Sequence, residues 1–313
     1  MKIVFLDAKT VGDLSEIEDF KKFGDLKVFQ TTKQVDVMKR IKGAEVVITN
    51  KVVIDKKTIK NSPDLKLICV AATGTNNIDL DAAMKAGIKV RNVKGYSTES
   101  VAQHTFALLF YILNHLSFYS SFVNSKKYSR SEIFTSLDRE IREINGKVFG
   151  IIGLGAIGQR VADLAMAFGA QVIYYSTSGK HTDIRYKRVS LEELLAVSDV
   201  ISIHAPLNEN TKGLIGLTEL KKAKRTAVIL NTGRGGIIKE KDLVTALNKN
   251  IIHAAGIDVY EKEPISPTHP FYNIKQKERL VLTPHVAWSS VEARRELVAG
   301  VSKNIQEFIE EKN

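Results

Sequence analysis

Three glycines at positions 153, 155 and 158, an arginine at 234, a glutamate at 263 and a histidine at 285 are the residues of this chain whose types and settings could do chemistry. The glycines close the run from Val148 to Gly158, an apolar stretch followed at once by a helical pattern. In that order Gly153 permits a sharp turn, Gly155 lets a pyrophosphate approach the backbone, and Gly158 lets the new helix lie close on the sheet. The helix start offers free N–H groups and a partial positive charge to phosphates, so Gly153, Gly155, Ala156, Ile157 and Gly158 are candidate cofactor contacts. A turn with no ligand would write the same letters. Here a second apolar run, Gln171 to Tyr175, follows the helix, as a dinucleotide-binding unit requires.

Arg234 sits in Thr232-Gly-Arg-Gly-Gly236, a loop flexible enough to approach a ligand; a guanidinium there suits a bidentate grip on a carboxylate and polarisation of a neighbouring carbonyl. The alternative is an ordinary surface arginine. His285 follows Pro284, and Glu263 follows the strand that carries Asp258. A carboxylate paired with an imidazole fixes its tautomer and makes an acid/base usable near neutrality. A core histidine and a solvated loop acid are the plainer readings of the two letters. Ser176, Pro206, Thr232, Gly233 and Asp258 also fall at the carboxyl ends of strand-like runs, where an open α/β sheet binds its ligands. Earlier in the chain, the Ala71–Asp79 loop follows an apolar run with small and amide residues, among them Thr73, Gly74 and Thr75. Such a loop either presents N–H groups to an anion or is a turn held by Asn and Asp side chains.

The elements that must position these residues alternate. Residues 2 to 97 read as short β-type runs at 3–6, 26–29, 46–49, 65–71 and 90–93, separated by helical patterns that include Leu14, Ile17 and Phe20: a small α/β unit with a parallel sheet. From Thr98 a long apolar helix is expected to about Val123, then an exposed, charged excursion from Lys126 to Arg142. Six further β-type runs, beginning at Val148, Gln171, Val200, Ala227, His253 and Leu280, alternate with helices and predict a doubly wound sheet. A last helix from about Ser289 to Glu311 is expected to return to the first domain.

With 313 residues, 44% hydrophobic and 26% charged, the composition is that of a globular chain of about two domains. The net charge of +11 is spread among acids, without the interleaved aromatics of a nucleic-acid surface, so no nucleic-acid partner is expected; the excess helps to draw in an anionic substrate and cofactor. Cys69, the single cysteine, forms no disulfide within the chain and reads as a small buried hydrophobe in a strand. No metal site, signal segment or membrane span is read, and the expected compartment is the cytoplasm.

With these residues in place the chain resembles the D-isomer-specific 2-hydroxyacid dehydrogenases over nearly its whole length. The matching stretches are 72–79, 95–107, 153–158, 231–236, Gly256-Ile-Asp-Val-Tyr-Glu-Lys-Glu-Pro264 and Thr283-Pro-His-Val-Ala-Trp288. The 95–107 and 285–288 segments look most like the glycerate dehydrogenase, or hydroxypyruvate reductase, branch. The resemblance implies a Rossmann cofactor domain, 99–285, inserted in a smaller flavodoxin-like substrate domain, 1–98 plus 286–313, and a homodimer formed through the cofactor domains. It further implies that Arg234, Glu263 and His285 are catalytic, that Asp258 lies near the nicotinamide carboxamide, and that the backbone of Thr73, Gly74 and Thr75 holds the substrate carboxylate. The activity implied is hydride transfer between NAD and a small D-2-hydroxy or 2-keto acid, D-glycerate/hydroxypyruvate first and glycolate/glyoxylate next. A non-catalytic NAD(H)-sensing module of the same fold is the alternative. One departure stands out: Ser176 occupies the place of the acid that binds the adenosine ribose in NAD-preferring members, with Lys180 and Arg185 nearby as attractors of a 2′-phosphate, so NADP stands beside NAD.

Overall fold

The computed structural model describes residues 1–179 and 183–311. Its chain divides into two compact units, one of residues 1–97 with the segment from Trp288 onward, the other Thr98–Ala287. The seams lie one to two residues from those read in the sequence.

In the first unit, β1 (Lys2–Phe5), β2 (Asp25–Val28), β3 (Val46–Thr49), β4 (Leu67–Val70) and β5 (Lys89–Asn92) form a parallel sheet in the order β2-β1-β3-β4-β5. That is the flavodoxin-like order. Every residue of β3 and β4 is buried, as strands covered on both faces must be, which is why they read as unbroken apolar runs. The terminal helix Val291–Glu310 covers one face with Leu297, Val301, Ile305 and Phe308. The segment around Ile17 and Phe20 is a 3-10 helix, Ser15–Phe23, and not the α-helix expected. Its apolar residues Leu14, Ile17, Phe20 and Phe23 recur at intervals of three, the 3-10 period, which stacks them along one edge.

In the second unit, β6 (Val148–Ile152), β7 (Gln171–Tyr175), β8 (Lys187–Arg188), β9 (Val200–Ile203), β10 (Val228–Asn231), β11 (Ala254–Ile257) and β12 (Leu280–Leu282) pair in parallel in the order β12-β11-β10-β9-β6-β7-β8. The order reverses between β6 and β9, the switch point of a doubly wound sheet. β8 was not read in the sequence, since two exposed, charged residues carry no periodicity. The long helix expected from Thr98 to Val123 is two helices, Thr98–Leu113 and Leu116–Asn124, bent by 60°. The break is at His115, a non-glycine residue in the left-handed region at φ 49°, which no α-helix continues through. The first of the pair buries eight residues and the second none. No single helix among the described residues is long and apolar enough to cross a membrane.

Candidate active site

The turn after β6 has the geometry that a pyrophosphate needs. Gly153 has φ +94°, and a Cβ there would lie 2.8 Å from the backbone of Ala205. A Cβ on Gly158 would lie 2.2 Å from the Gly153 carbonyl oxygen, whereas one on Gly155 would meet open space. Two of the glycines are thus forced by packing, and the middle one leaves room for a ligand. Helix Ala156–Ala167 starts here, and the N–H groups of Leu154, Gly155, Ala156 and Ile157 find no acceptor among the described residues. Four unpaired donors at a helix start fit an anionic dinucleotide.

Ser176 follows β7, and its hydroxyl is buried without a hydrogen-bond partner among the described residues, so a polar atom stands ready at the strand end where a ribose would lie. The turn there closes with Gly179 N–H donating to the Ser176 carbonyl at 3.4 Å, and Arg188 Nη1 donates to the Gly179 carbonyl at 3.2 Å. Arg185, read as an attractor of a 2′-phosphate, is instead paired with Asp163 at 3.0 Å and Asp183 at 2.7 Å. Its charge is neutralised where it stands. Lys180 lies outside the described residues.

After β9 come His204 and the exposed Pro206, whose carbonyl accepts from Thr211 Oγ1 at 2.6 Å. Burial pushes the His204 imidazole down to about 3, and its Nε2 lies 2.8 Å from Ser202 Oγ. His204 is therefore neutral and structural, and the proton chemistry falls elsewhere. Thr232 Oγ1 pairs with Thr105 Oγ1 at 3.0 Å, which ties the end of β10 to helix Thr98–Leu113. The Asn231 side chain clasps the next turn, its Nδ2 donating to the Arg234 carbonyl at 3.0 Å and its Oδ1 accepting from Gly233 N–H at 3.1 Å. Arg234 Nη1 donates to the Gly233 carbonyl at 2.8 Å, and the guanidinium has no carboxylate partner among the described residues. The remaining guanidinium donors are left for a ligand.

His285 and Glu263, 22 residues apart in the chain, meet: Nδ1 lies 2.7 Å from Oε2, with the two side chains 24% and 32% exposed. The carboxylate holds the proton on Nδ1 and leaves Nε2 for exchange with a substrate. Glu263 Oε1 accepts from Tyr260 N–H at 3.0 Å, so its second oxygen is fixed as well. His285 itself is in the left-handed region, φ 55°. The loop that imposes this is held by Asp258, whose carboxylate is fully enclosed. It accepts from Thr283 Oγ1 at 2.6 Å, Val286 N–H at 2.9 Å and Ala287 N–H at 2.9 Å, while the Asp258 carbonyl accepts from His285 N–H at 2.8 Å. Asp258, expected from the family resemblance to lie near the nicotinamide, shapes the histidine loop in the structure.

In the first unit, the Thr73, Gly74 and Thr75 loop follows β4. Thr73 Oγ1 donates to the Val93 carbonyl at 3.2 Å and Thr75 O accepts from Ile78 N–H at 3.0 Å, which shapes the loop. The N–H groups of Thr73, Gly74 and Thr75 have no acceptor among the described residues, so three consecutive donors are free for an anion.

Residues 106–287 match the family described as D-isomer specific 2-hydroxyacid dehydrogenase, NAD binding domain. The chain belongs to this family. It is 37% identical to a putative 2-hydroxyacid dehydrogenase of Haemophilus influenzae, with 99% of each chain covered. It is 36% identical to a glycerate dehydrogenase of Methylorubrum extorquens, over 98% of this chain and 96% of that one. Among solved structures it superposes on an acyclic imino acid reductase in complex with NADPH and D-Arg with a TM-score of 0.87 at 30% identity, covering 100% and 98% of the two chains.

This 2-hydroxyacid dehydrogenase is accordingly an NAD(P)-dependent oxidoreductase of the CH–OH group. Of the residues singled out in the sequence, the structure brings together Glu263, His285 and Asp258, and places Arg234, Thr232 and Gly233 in one turn at the end of β10. Thr283 and Tyr260 were not singled out. Both lie within the 256–264 and 283–288 stretches, but a threonine and a tyrosine near strand ends carry no signal of their own until the loops are folded.

Proposed function

We propose that this dehydrogenase reduces a small 2-keto acid to the D-2-hydroxy acid and catalyses the reverse oxidation, with hydroxypyruvate and D-glycerate as the first substrate pair and glyoxylate and glycolate as the next. The observation that carries the reading is the 2.7 Å contact between His285 Nδ1 and Glu263 Oε2. The nicotinamide supplies the hydride when bound. Arg234, with no carboxylate of its own among the described residues, grips the substrate carboxylate and polarises the ketone. In the first unit, the N–H groups of Thr73, Gly74 and Thr75 suit a carboxylate as well. His285, protonated on both nitrogens, gives the Nε2 proton to the carbonyl oxygen as negative charge develops there, while Glu263 stabilises the imidazolium and fixes the ring. In oxidation the same nitrogen takes the hydroxyl proton. The glycerate dehydrogenase relative supports the choice of first substrate.

The dinucleotide is held by the donors of Leu154 to Ile157, with Gly155 leaving space for its phosphates. Residues 176–179 are Ser, Thr, Ser and Gly, so no carboxylate in that turn repels a 2′-phosphate, and the enzyme is read as accepting both NADH and NADPH. The active form is a homodimer. Phe134 (89% exposed) and Leu137 (84%) stand on the excursion after helix Leu116–Asn124, with Ile133 and Ile141 also exposed, and a second copy would cover such apolar side chains.

Steady-state assays of hydroxypyruvate, glyoxylate and pyruvate with NADH and with NADPH test the reading. Turnover of hydroxypyruvate with the highest kcat/KM is expected. Cofactor binding without turnover of any 2-keto acid would contradict it.

A further inference from the structure

Tyr260, through its backbone and its side chain, touches all three loops that carry Arg234, Glu263 and His285. Its backbone N–H donates to Glu263 Oε1 at 3.0 Å, so it fixes the oxygen of Glu263 that does not face the histidine. Its phenol donates to the Thr283 carbonyl at 2.8 Å, and that same carbonyl accepts from His285 N–H at 3.0 Å. Its own carbonyl lies where a Cβ on Gly235 would come within 1.9 Å, so the Arg234 turn rests directly against it. The residue is 8% exposed, and its ring is packed edge-on against His269, with centroids 6.0 Å apart, and beside Phe271 at 6.1 Å. His269 in turn contacts Glu240 at 2.9 Å, and the other oxygen of Glu240 accepts from Glu261 N–H at 2.9 Å. The start of the 260–263 loop is thereby anchored, and the phenolic oxygen joins the Glu263 carboxylate in reaching across to the histidine loop.

We propose that Tyr260 is a positioning residue: its hydroxyl locks the His285 loop to the loop that carries Glu263 and so sets the register of the proton-donating pair. The inference rests on the reading of that pair as the proton relay. Without the hydroxyl the Thr283 carbonyl keeps, among the described residues, only the His285 N–H, the loop at φ 55° loses an external restraint, and the 2.7 Å contact is held less tightly. A phenylalanine keeps the ring and its packing and removes only the oxygen.

The test is Tyr260→Phe. Its kcat for 2-keto acid reduction is expected to fall about tenfold, the rate equivalent of one intramolecular hydrogen bond, with substrate KM, NADH affinity and thermal midpoint essentially as in the wild type. A kcat within about twofold of wild type, or a loss that cofactor affinity and thermal midpoint share in proportion, overturns the proposal. The downfield proton resonance of His285 Nδ1–H, assigned by its loss in Glu263→Gln, gives a readout that needs no turnover. It is expected to shift in Tyr260→Phe, and an unmoved resonance counts against the lock. A wild-type enzyme that turns over no 2-keto acid would instead remove the reading of the site and leave this resonance as the judge of the lock.

Discussion

Arg234 shows what a single residue can and cannot disclose. Its letter was read as a carboxylate grip, and its surroundings fit: the Asn231 amide holds its turn from both sides, and its guanidinium has no carboxylate partner among the described residues. A lysine keeps the charge but loses the planar fork. Arg234→Lys is therefore expected to raise the KM for the keto acid and to lower kcat/KM by about a hundredfold, in line with loss of an oriented charged donor, which steady-state kinetics will read. The pairing of His285 with Glu263 was legible because a carboxylate and an imidazole flanked two strand ends. The left-handed backbone at His285 was not, because it is imposed by Asp258 through Thr283, Val286 and Ala287, contacts that exist only after β11 and β12 are paired. Arg185 was legible as a cation but not as a neutralised one, since Asp163 comes from helix Ala156–Ala167, remote from it in sequence.

At the scale of elements, the glycine turn and the strands were readable because each obeys a local rule: apolar runs for buried parallel strands, and glycine wherever backbone approaches backbone. Gly158→Ala would place a Cβ 2.2 Å from the Gly153 carbonyl oxygen and push the helix start off the turn. A shift on the order of 1 Å is expected to weaken NADH binding at least tenfold, measurable by nicotinamide fluorescence, with the fold retained. Asp199 ties elements in a second way: Oδ2 accepts from Val148 N–H at 2.9 Å at the start of β6, and Oδ1 meets Lys224 Nζ at 2.9 Å. Burial alone would raise its carboxyl, but the Val148 bond and the Lys224 ammonium carry it below the usual carboxylate range. A carboxyl lowered by folding contributes stability that is present above its unfolded value and is lost as pH falls through the folded one. Asp199→Asn is thus expected to be less stable than wild type by about 1 kcal/mol at pH 7, and in thermal melts the difference should begin to narrow near about pH 4 and close only once pH has fallen below the lowered folded value. The break at His115 and the two-residue β8 were beyond reading: one is a single backbone angle, the other is too short to show a period.

For the whole molecule, the division into two α/β units was visible as two series of strand and helix joined by the apolar run from Thr98, and the strand orders confirm flavodoxin-like and doubly wound sheets. The exposed apolar side chains of the 126–142 excursion were not visible, since they are scattered among charges and only the folded chain leaves Phe134 and Leu137 bare. Phe134→Asp combined with Leu137→Glu is expected to convert the proposed homodimer to monomer in sedimentation velocity, while wild type sedimenting as a monomer would refute that assembly. The central claim is that His285, held by Glu263, moves the proton. The most direct measurement is kcat for hydroxypyruvate reduction by His285→Ala, with NADH affinity measured in parallel. A loss of roughly 10²- to 10⁴-fold in kcat, the usual worth of a general acid, is expected, with cofactor affinity unchanged. Turnover at the wild-type rate would contradict it.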